Sequence, residues 1–260
     1  MLRTFSNRTL SRSATKIEYD HKNHLHTVTG AKAVLELLFQ ASIPNSLLDV
    51  GCGNGVWLRA ALDLGVPEIY GVDGVPVRQE TLLVPQRYFS VADLSRTVNF
   101  GKIFDMVLCM EVAEHLPADA APHLIKTLVS HSNHILFSAA CPGQNGQHHV
   151  NCQWPRYWQD LFNERGYACD DGLRWTIWDH SNIEPWYRQN VFAATRAPDL
   201  AGREPRIRSA IHPEMLTSID PFKIGYEYWL DQLKSGNKSL LWYSSLLSKA
   251  LCAKVRRRIM

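Results

Sequence analysis

Hydrophobic and polar positions follow two different periods along residues 30–196. Short apolar runs, typical of buried strands, alternate with longer segments in which apolar residues recur every three or four positions, as in amphipathic helices. The predicted strands are SLLDV, EIYGV, RYFSV, FDMVLCM and HILFSA, and the predicted helices span residues 30–41, 56–65 and 117–131. Another helix is predicted to start at Trp154-Pro155, because proline suits the first helical position.

The regular exchange of strands and helices predicts a parallel sheet with helices on both faces. Residues 167–196 add two strand candidates, RWTIW and NVFAAT. The link between them looks too short and irregular for a crossover helix, so one strand is predicted to be antiparallel. The sequence therefore predicts an α/β fold with a doubly wound, mostly parallel seven-stranded sheet, one antiparallel strand and a helical C-terminal appendage.

Three regions are predicted from where this pattern starts and stops. Residues 1–17 are a mobile basic arm, residues 18–196 form the main domain, and residues 197–260 form the appendage with a basic end. Within the appendage, one face of a predicted helix over residues 239–255 is apolar. That face carries Leu240, Tyr243, Leu247, Ala250 and Leu251.

Charge is distributed unevenly although the net charge is only +3. Residues 1–17 and 232–260 hold eleven basic residues and no acid, which leaves 17 basic against 25 acidic residues, or −8, in residues 18–231. The basic ends are either ordinary solvated tails or contacts for an anionic partner such as lipid, nucleic acid or an acidic glycan. Among these partners, an anionic membrane surface is favoured over nucleic acid, because the basic end follows an amphipathic helix.

The expected location is the cytoplasm, with peripheral membrane contact through the C-terminal helix. No apolar run reaches the 18 residues of a membrane span, and residues 1–17 lack the apolar region of a secretory signal. The six cysteines form no CxxC pair and are expected to be reduced. Because residues 1–17 are rich in Ser, Thr and Arg, a mitochondrial transit peptide is the alternative.

A glycine-rich loop follows the first predicted strand, in LLDVGCGNGVWL at residues 47–58. The dinucleotide fingerprint has its third glycine at i+5, but here Val56 is at i+5 and Gly55 is at i+4 from Gly51, and no Gly-Lys-Ser/Thr follows. Asp49 would repel a phosphate at this loop. The loop therefore suits a ligand that carries an ammonium or sulfonium group.

The stretch DVGCGNG resembles the first motif of class I S-adenosylmethionine-dependent methyltransferases. The resemblance covers roughly residues 30–196, and YGVDG, SVADLS and FDMVLCMEVAEHLP fall in the order expected for that family. It implies S-adenosylmethionine as cofactor, with Asp49 near its amino-acid end, Asp73 at the ribose and Asp93 near the adenine. The implied cofactor-binding residues are Asp49, Gly51, Cys52, Gly53, Asn54, Gly55, Asp73, Gly74, Asp93, Leu94, Met110 and Glu111.

Three histidines are candidates for the catalytic base. A sulfonium methyl group is already electrophilic, so the protein must position the acceptor and, for an oxygen or nitrogen acceptor, remove a proton. His115 follows the fourth strand, and His148 and His149 lie in the loop after the fifth, at the same edge of the sheet. We favour His149 as the base, with His148 and His115 as alternatives. A purely structural role in loop packing is the other interpretation.

A metal-dependent variant stays open beside the favoured prediction of no resident metal. Glu111, Glu114 and His115 lie together in EVAEH, and a further histidine follows the fifth strand. This pattern is similar to the Glu-Glu-His-His site of small-RNA 2′-O-methyltransferases. Mixed carboxylate and imidazole ligands would suit Mn²⁺ or a similar ion.

The acceptor is predicted to be a hydroxylated molecule such as a sugar or glycan unit. Five of the eight tryptophans lie in residues 154–188, where Arg156, Arg174 and Arg188 could help them to stack on sugar rings or bases, although core packing explains them equally well. The loop GQNGQHHVNCQWPRYW resembles methyltransferases found with polysaccharide-assembly enzymes. Alternative acceptors are RNA ribose and a small aromatic or lipid metabolite. The alternative of another class is a non-catalytic cofactor-binding scaffold.

Overall fold

The computed structural model describes residues 19, 26–216, 239–245 and 247–248. The predicted arm at residues 1–17 lies outside the described residues. So do Ala250, Leu251 and the basic residues Arg256–Arg258 at the C-terminus.

Seven strands form one sheet in the order β3-β2-β1-β4-β5-β7-β6. β7 pairs antiparallel with both β5 and β6, while the other neighbours are parallel. The strands are β1 Ser46–Val50, β2 Glu68–Asp73, β3 Phe89–Val91, β4 Met106–Met110, β5 His134–Ser138, β6 Tyr167–Asp170 and β7 Phe192–Arg196. The predicted α/β fold with one antiparallel strand is confirmed.

Six α-helices lie before or between these strands within residues 26–216. They are α1 Val28–Leu38, α2 Val56–Asp63, α3 Ala121–Val129, α4 Pro155–Asn163, α5 Gly172–Thr176 and α6 Pro185–Asn190. Helix α1 begins earlier than predicted because the Thr27 side chain caps it by accepting a hydrogen bond from the Gly30 amide at 3.0 Å. Helix α4 starts at Pro155, as predicted.

The strand prediction for RWTIW was wrong. Residues Gly172–Thr176 form α5, and the sixth strand is instead Tyr167–Asp170, in which Tyr167 and Cys169 face the core. Polar and apolar residues alternate more regularly in RWTIW than in YACD, so periodicity alone favoured the wrong segment. In α5 the side chain of Arg174 is fully buried and donates a hydrogen bond to the carbonyl of Gln189 at 3.3 Å, a contact that local periodicity does not predict.

The sheet is covered on both faces, and consecutive strand residues contribute to opposite faces. In β1, Leu48 packs with α3 and α4, whereas Leu47 packs with α1 and α2. Both leucines are 0% exposed, and burying such a side chain contributes about 1.5–3 kcal/mol. Double coverage holds the strands rigidly, so their carboxyl ends present loops in defined positions.

Residues 197–216 pack against the main domain. Ile207 joins the core cluster on the α3 and α4 face, and Met215 packs on Cys141. Glu204 accepts hydrogen bonds from Gln159 at 2.9 Å and from the Cys169 amide at 3.2 Å. The boundary at residue 196 stays a prediction, but the 20 residues that follow are joined to the sheet by these contacts.

Residues 240–245 and 247–248 are helical, in agreement with the predicted C-terminal helix. Leu240 is 88% exposed and Leu247 is 64% exposed. In the part of the chain that the structure describes, no helix combines the length and apolar character needed to cross a bilayer.

Candidate active site

The carboxyl ends of β1, β2 and β4 open into a cavity of about 390 Å³, which is within the usual size range of small-molecule sites. Ten of the predicted cofactor-binding residues line it: Gly51, Cys52, Gly53, Asn54, Asp73, Gly74, Asp93, Leu94, Met110 and Glu111. His115 also lines the cavity. Asp49, Gly55, His148 and His149 are not part of its lining.

The glycine loop needs glycine for two reasons, backbone conformation and space. Gly51 has φ +83°, and a Cβ atom there would lie 2.2 Å from the Val112 side chain. Gly55 has φ +88° at the start of α2. Residues with side chains adopt such angles only at a cost, so this loop geometry is specific to glycine.

Asp73 ties the end of β2 to the glycine loop. Its Oδ2 accepts a hydrogen bond from the Gly53 amide at 2.8 Å, and its Oδ1 accepts one from the Val75 amide at 2.8 Å. The carboxylate lines the cavity from this fixed position. Such an acceptor suits the hydroxyl groups of a ribose.

Asp49 lies under the glycine loop and is 1% exposed. Its Oδ2 has no hydrogen-bond partner among the described residues. Burial raises the pKa of Asp49 well above its usual value, and the negative charge of Asp73 adds to this. A positively charged ligand group nearby would compensate both effects, which fits the sulfonium and ammonium groups of the expected cofactor.

Asp93 remains accessible at the far end of the cavity, where its side chain is 46% exposed. It accepts a hydrogen bond from the Ser95 amide at 3.0 Å and pairs with Arg96. Asp93 and Leu94 both line the cavity, and their role at the adenine stays a prediction.

Glu111 lines the opposite end of the cavity with an unusual backbone angle, φ +55°. Asn190 and Gln144 donate hydrogen bonds to its carboxylate at 3.2 Å and 3.1 Å. Burial and the nearby Glu114 raise the pKa of Glu111, while hydrogen bonds from Ser138, Asn190 and Gln144 lower it. The net direction is upward, so a bound cation would favour the ionised form of this carboxyl.

The loops after β4 and β5 are joined by two main-chain hydrogen bonds. The Glu114 carbonyl accepts from the amides of Val150 and Asn151 at 2.9 and 3.0 Å. This brings the rings of His115 and His149 to a centroid distance of 5.0 Å. Although the two loops are distant in sequence, these hydrogen bonds place His115 and His149 next to each other.

Glu114, His115 and His149 form a cluster in which one ligand atom from each residue lies within 4.8 Å of the others. Both carboxylate oxygens of Glu114 and Nδ1 of His115 are buried, and among the described residues no hydrogen bond of good geometry reaches them, although the amides of Glu114 and Ala140 and the Glu111 side chain lie close enough to lower the pKa of Glu114. Burial raises the pKa of Glu114 and lowers that of His115. A divalent ion would satisfy these atoms, so the donor set fits a metal such as Mn²⁺; Glu111 lies outside this set.

The tautomer of His149 follows from its hydrogen bond. Its Nδ1 lies 2.9 Å from the Gln144 carbonyl oxygen, which can only accept, so Nδ1 carries the hydrogen. The lone pair is then on Nε2, which is the atom able to take up a proton or ligate a metal. His148 has φ +50° in the same loop and is not part of the cluster.

A family model described as "Methyltransferase domain" matches residues 19–189, about two thirds of the 260-residue chain. The chain belongs to this methyltransferase family. Its methyl donor is S-adenosylmethionine, and the glycine loop, Asp73 and the unpaired oxygen of Asp49 fit that molecule.

Curated relatives of this methyltransferase include two ubiquinone biosynthesis O-methyltransferases. The protein of Photorhabdus laumondii subsp. laumondii is 30% identical over 100 residues, which covers 35% of this chain and 41% of the relative. The protein of Neisseria meningitidis serogroup C is 32% identical over 83 residues, which covers 29% of this chain and 35% of the relative. The chain thus spans less than half the length of the curated relatives it matches.

Similar solved structures include the magnesium protoporphyrin IX methyltransferase of Synechocystis PCC 6803 with bound SAH. It has 18% identity and a TM-score of 0.47, and the match covers 65% of this chain and 82% of that chain. The methyltransferase domain of bacterial CtHen1 has 16% identity and a TM-score of 0.49, covering 65% and 98%.

Four aromatic or imidazole residues line the cavity of the methyltransferase without having been predicted: Tyr19, His26, Trp57 and Tyr187. Trp57 Nε1 donates to the Tyr187 hydroxyl at 3.1 Å, and this hydroxyl in turn lies 2.7 Å from Nδ1 of His26. Tyr19 contacts the His115 ring edge-on at 5.0 Å, and burial raises its pKa to about 12. No local pattern marks them, because aromatic residues in a sequence equally indicate core packing.

The suggested stacking role of two arginines was wrong. Arg174 and Arg188 are 0% and 2% exposed. They form ion pairs with Asp171 and Glu214, so neither guanidinium is available to an acceptor. Arg156 is exposed, as is Trp175 at 48%.

Proposed function

We propose that this methyltransferase transfers a methyl group from S-adenosylmethionine to a hydroxyl oxygen of its acceptor. The observation that carries the proposal is the cluster of Glu114, His115 and His149 beside the cofactor cavity. Since His115 belongs both to the cluster and to the cavity lining, a hydroxyl bound at the cluster lies next to the donor. A hydroxyl needs a proton acceptor to become a good nucleophile, and this cluster supplies one.

S-adenosylmethionine supplies a methyl group attached to a positively charged sulfur. Nε2 of His149 accepts the proton of the acceptor hydroxyl, while the oxygen forms a bond to the methyl carbon and the carbon–sulfur bond breaks. The products are a methyl ether and neutral S-adenosylhomocysteine, and the proton leaves from His149 to solvent. The hydrogen bond from Nδ1 of His149 to the Gln144 carbonyl keeps the ring oriented for this transfer.

A second mode of activation is favoured by the same cluster. The buried carboxylate of Glu114 and the two imidazoles would hold a divalent ion, which would lower the pKa of a coordinated hydroxyl. In that mode His149 is a ligand rather than the base. The two modes differ in their response to chelators.

The acceptor class rests on chemistry and on a distant relationship. A sugar or glycan unit is our first candidate, because the exposed aromatic residue Trp175, which lies outside the cavity lining, is suited to stacking on a sugar ring. A small hydroxylated metabolite is the second, supported by the O-methyltransferase relatives. RNA ribose is the third.

The test is methyl transfer from radiolabelled S-adenosylmethionine to three separate pools, namely oligosaccharides, hydroxylated aromatic compounds and RNA. We expect label in one pool, held in a linkage that resists mild base as an ether does and a carboxyl ester does not. Label on nitrogen or carbon, established by mass spectrometry of the product, would contradict O-methylation. Binding of the donor without label in any pool would favour the scaffold alternative.

A further inference from the structure

Three buried amide side chains form a hydrogen-bonded group behind Glu111, which we call the amide cluster. It consists of Gln144, Gln189 and Asn190, which are 4%, 1% and 2% exposed. Gln144 lies in the loop after β5, and the other two residues end α6. None of the three lines the cofactor cavity.

The hydrogen bonds of the amide cluster fix which end of each amide group is oxygen and which is nitrogen. The backbone amide of His212 donates to Oε1 of Gln189 at 2.9 Å, and because a backbone N–H can only donate, this bond fixes which end of the Gln189 amide is oxygen. Nε2 of Gln189 then donates to Oε1 of Gln144 at 3.2 Å and to Oδ1 of Asn190 at 3.1 Å. The orientation of each amide thus follows from the one before it.

The last hydrogen bonds of the amide cluster are donated to the carboxylate of Glu111. The Gln144 oxygen accepts from Gln189 and also from Nδ2 of Asn190 at 3.0 Å. The nitrogens of Gln144 and Asn190 donate to the Glu111 carboxylate at 3.1 Å and at 3.2 and 3.3 Å. The Glu111 main chain is held as well, because its amide bonds to the Ser138 carbonyl at 3.0 Å. The amide cluster therefore sets the direction of a carboxylate that does line the cavity.

Glu111 occupies the end of the cavity where the reaction must take place. The cavity runs from Asp93 past Asp73 and the glycine loop to Glu111 and His115. Because the methyl group has to face the histidines, the sulfur of the donor belongs at that end. A carboxylate there meets a positive sulfonium before the reaction and a neutral thioether after it.

We propose that Gln144, Gln189 and Asn190 are positioning residues that aim the Glu111 carboxylate at the sulfonium, so that the site prefers S-adenosylmethionine over S-adenosylhomocysteine. The proposal rests on the proposed function, since it concerns the same donor. Donor and product differ in one methyl group and one charge, so a correctly aimed carboxylate discriminates between them by electrostatics. This preference favours release of the product S-adenosylhomocysteine and binding of a new molecule of S-adenosylmethionine.

The test is calorimetric titration of S-adenosylmethionine and S-adenosylhomocysteine into the wild-type protein and two variants. Glu111→Gln removes the charge, and Gln189→Glu keeps the size of the side chain but replaces the donor that fixes the other two amides. We expect each variant to lose about tenfold in affinity for the sulfonium donor and less than about twofold for the thioether. A purely structural role would weaken both ligands alike.

Gln159→Glu is the matched control. Gln159 is also a fully buried amide, but it bonds to Glu204 and to the Ile207 amide, far from Glu111 in the hydrogen-bond network. We expect this variant to lower the melting temperature and to keep the wild-type ratio of the two affinities. Unchanged ratios in Glu111→Gln and Gln189→Glu would overturn the positioning role. If the wild-type protein bound neither ligand, the proposed function itself would fail.

Discussion

The main-chain amide of Asn151 donates a hydrogen bond to the carbonyl of Glu114 at 3.0 Å. Together with the bond from the Val150 amide to the same carbonyl at 2.9 Å, this contact joins the loop after the fifth strand to the loop after the fourth. It places His149 beside His115, although 34 positions separate the two residues in the sequence. The predictions about His149 and about a metal ion both depend on this contact between the two loops.

Replacing His149 should stop methyl transfer while leaving donor binding in place. We expect His149→Ala to lower kcat by about 10²–10⁴-fold, the usual contribution of a general base. The affinity for S-adenosylmethionine should stay within about twofold, because His149 does not line the cofactor cavity. Single-turnover rates and calorimetry measure the two effects.

His134→Ala is the control for that experiment. His134 is an exposed histidine at the start of β5, at the opposite end of the strand from the cluster. It should keep wild-type activity. Equal loss in both variants, or full activity in His149→Ala, would show that His149 is not the base.

Removal of divalent ions decides between the two modes of activation. If Glu114, His115 and His149 hold an ion, dialysis against a chelator should abolish methyl transfer and Mn²⁺ should restore it. Elemental analysis of the purified protein gives an independent measure of occupancy. Full activity in excess chelator would leave the general-base mode and exclude the metal mode.

Gly51→Ala should disturb both the fold and the cofactor site. The added methyl group meets Val112 at 2.2 Å in a backbone conformation with φ +83°. We expect a clear loss of S-adenosylmethionine affinity together with a lower melting temperature. Both follow from displacement of the loop whose Gly53 amide bonds Asp73.

Gly101→Ala separates backbone strain from the steric clash. Gly101 also has positive φ, +65°, but nothing lies within 4 Å of its added Cβ. This variant should lose about 1–2 kcal/mol of stability from strain alone and bind the cofactor normally. Similar cofactor affinity in the two alanine variants would contradict the steric role of Gly51.

Glu204 should make a pH-dependent contribution to stability. Partial burial would by itself raise the pKa of Glu204, but hydrogen bonds from Gln159 and Asn163 outweigh burial and lower it. A carboxyl whose pKa is lower in the folded state stabilises the protein above its unfolded pKa, roughly pH 4.3, and loses that contribution as pH falls through the folded pKa.

Glu204→Gln tests this by thermal unfolding between acid and neutral pH. The melting temperature of the variant should fall below that of the wild type at neutral pH, and the difference should shrink in acid. A difference that stays constant with pH would show that packing rather than charge holds residues 197–216 in place.

The C-terminal helix is proposed to contact anionic membrane surfaces. Leu240, Leu241 and Leu247 are 88%, 82% and 64% exposed, and basic residues follow in the sequence. We expect co-sedimentation with vesicles of phosphatidylserine and phosphatidylcholine that weakens as salt increases. Replacing Leu240 and Leu247 with serine should reduce it.

Leu200→Ser provides the comparison, because Leu200 is also exposed, at 59%, but lies on residues 197–216. It should bind vesicles like the wild type. Equal binding of all variants, or no binding by the intact chain, would contradict the membrane proposal and leave a protein partner as the explanation of the exposed leucines.

The α/β class, the positions of most strands and the cofactor loop could be predicted from the sequence, because all three depend on local patterns. SLLDV forms a buried strand since all five residues are apolar or turned inward, and Gly51 and Gly55 mark the tight turn after it. The antiparallel β7 was also foreseen, because the chain before NVFAAT is too irregular to cross the sheet.

The tertiary structure decided what those residues meet. Arg174 and Arg188 looked like acceptor contacts in the sequence, but both side chains are buried and form ion pairs with Asp171 and Glu214, which lie nearer the surface. The direction of Glu111 depends on Gln189, and the orientation of Gln189 depends on the backbone of His212, which lies 23 positions after Gln189 in the chain. The periodicity of apolar residues predicts which face of a helix or strand is buried. It does not predict which distant hydrogen-bond donor or charged group contacts that face, because these contacts form only when the elements pack.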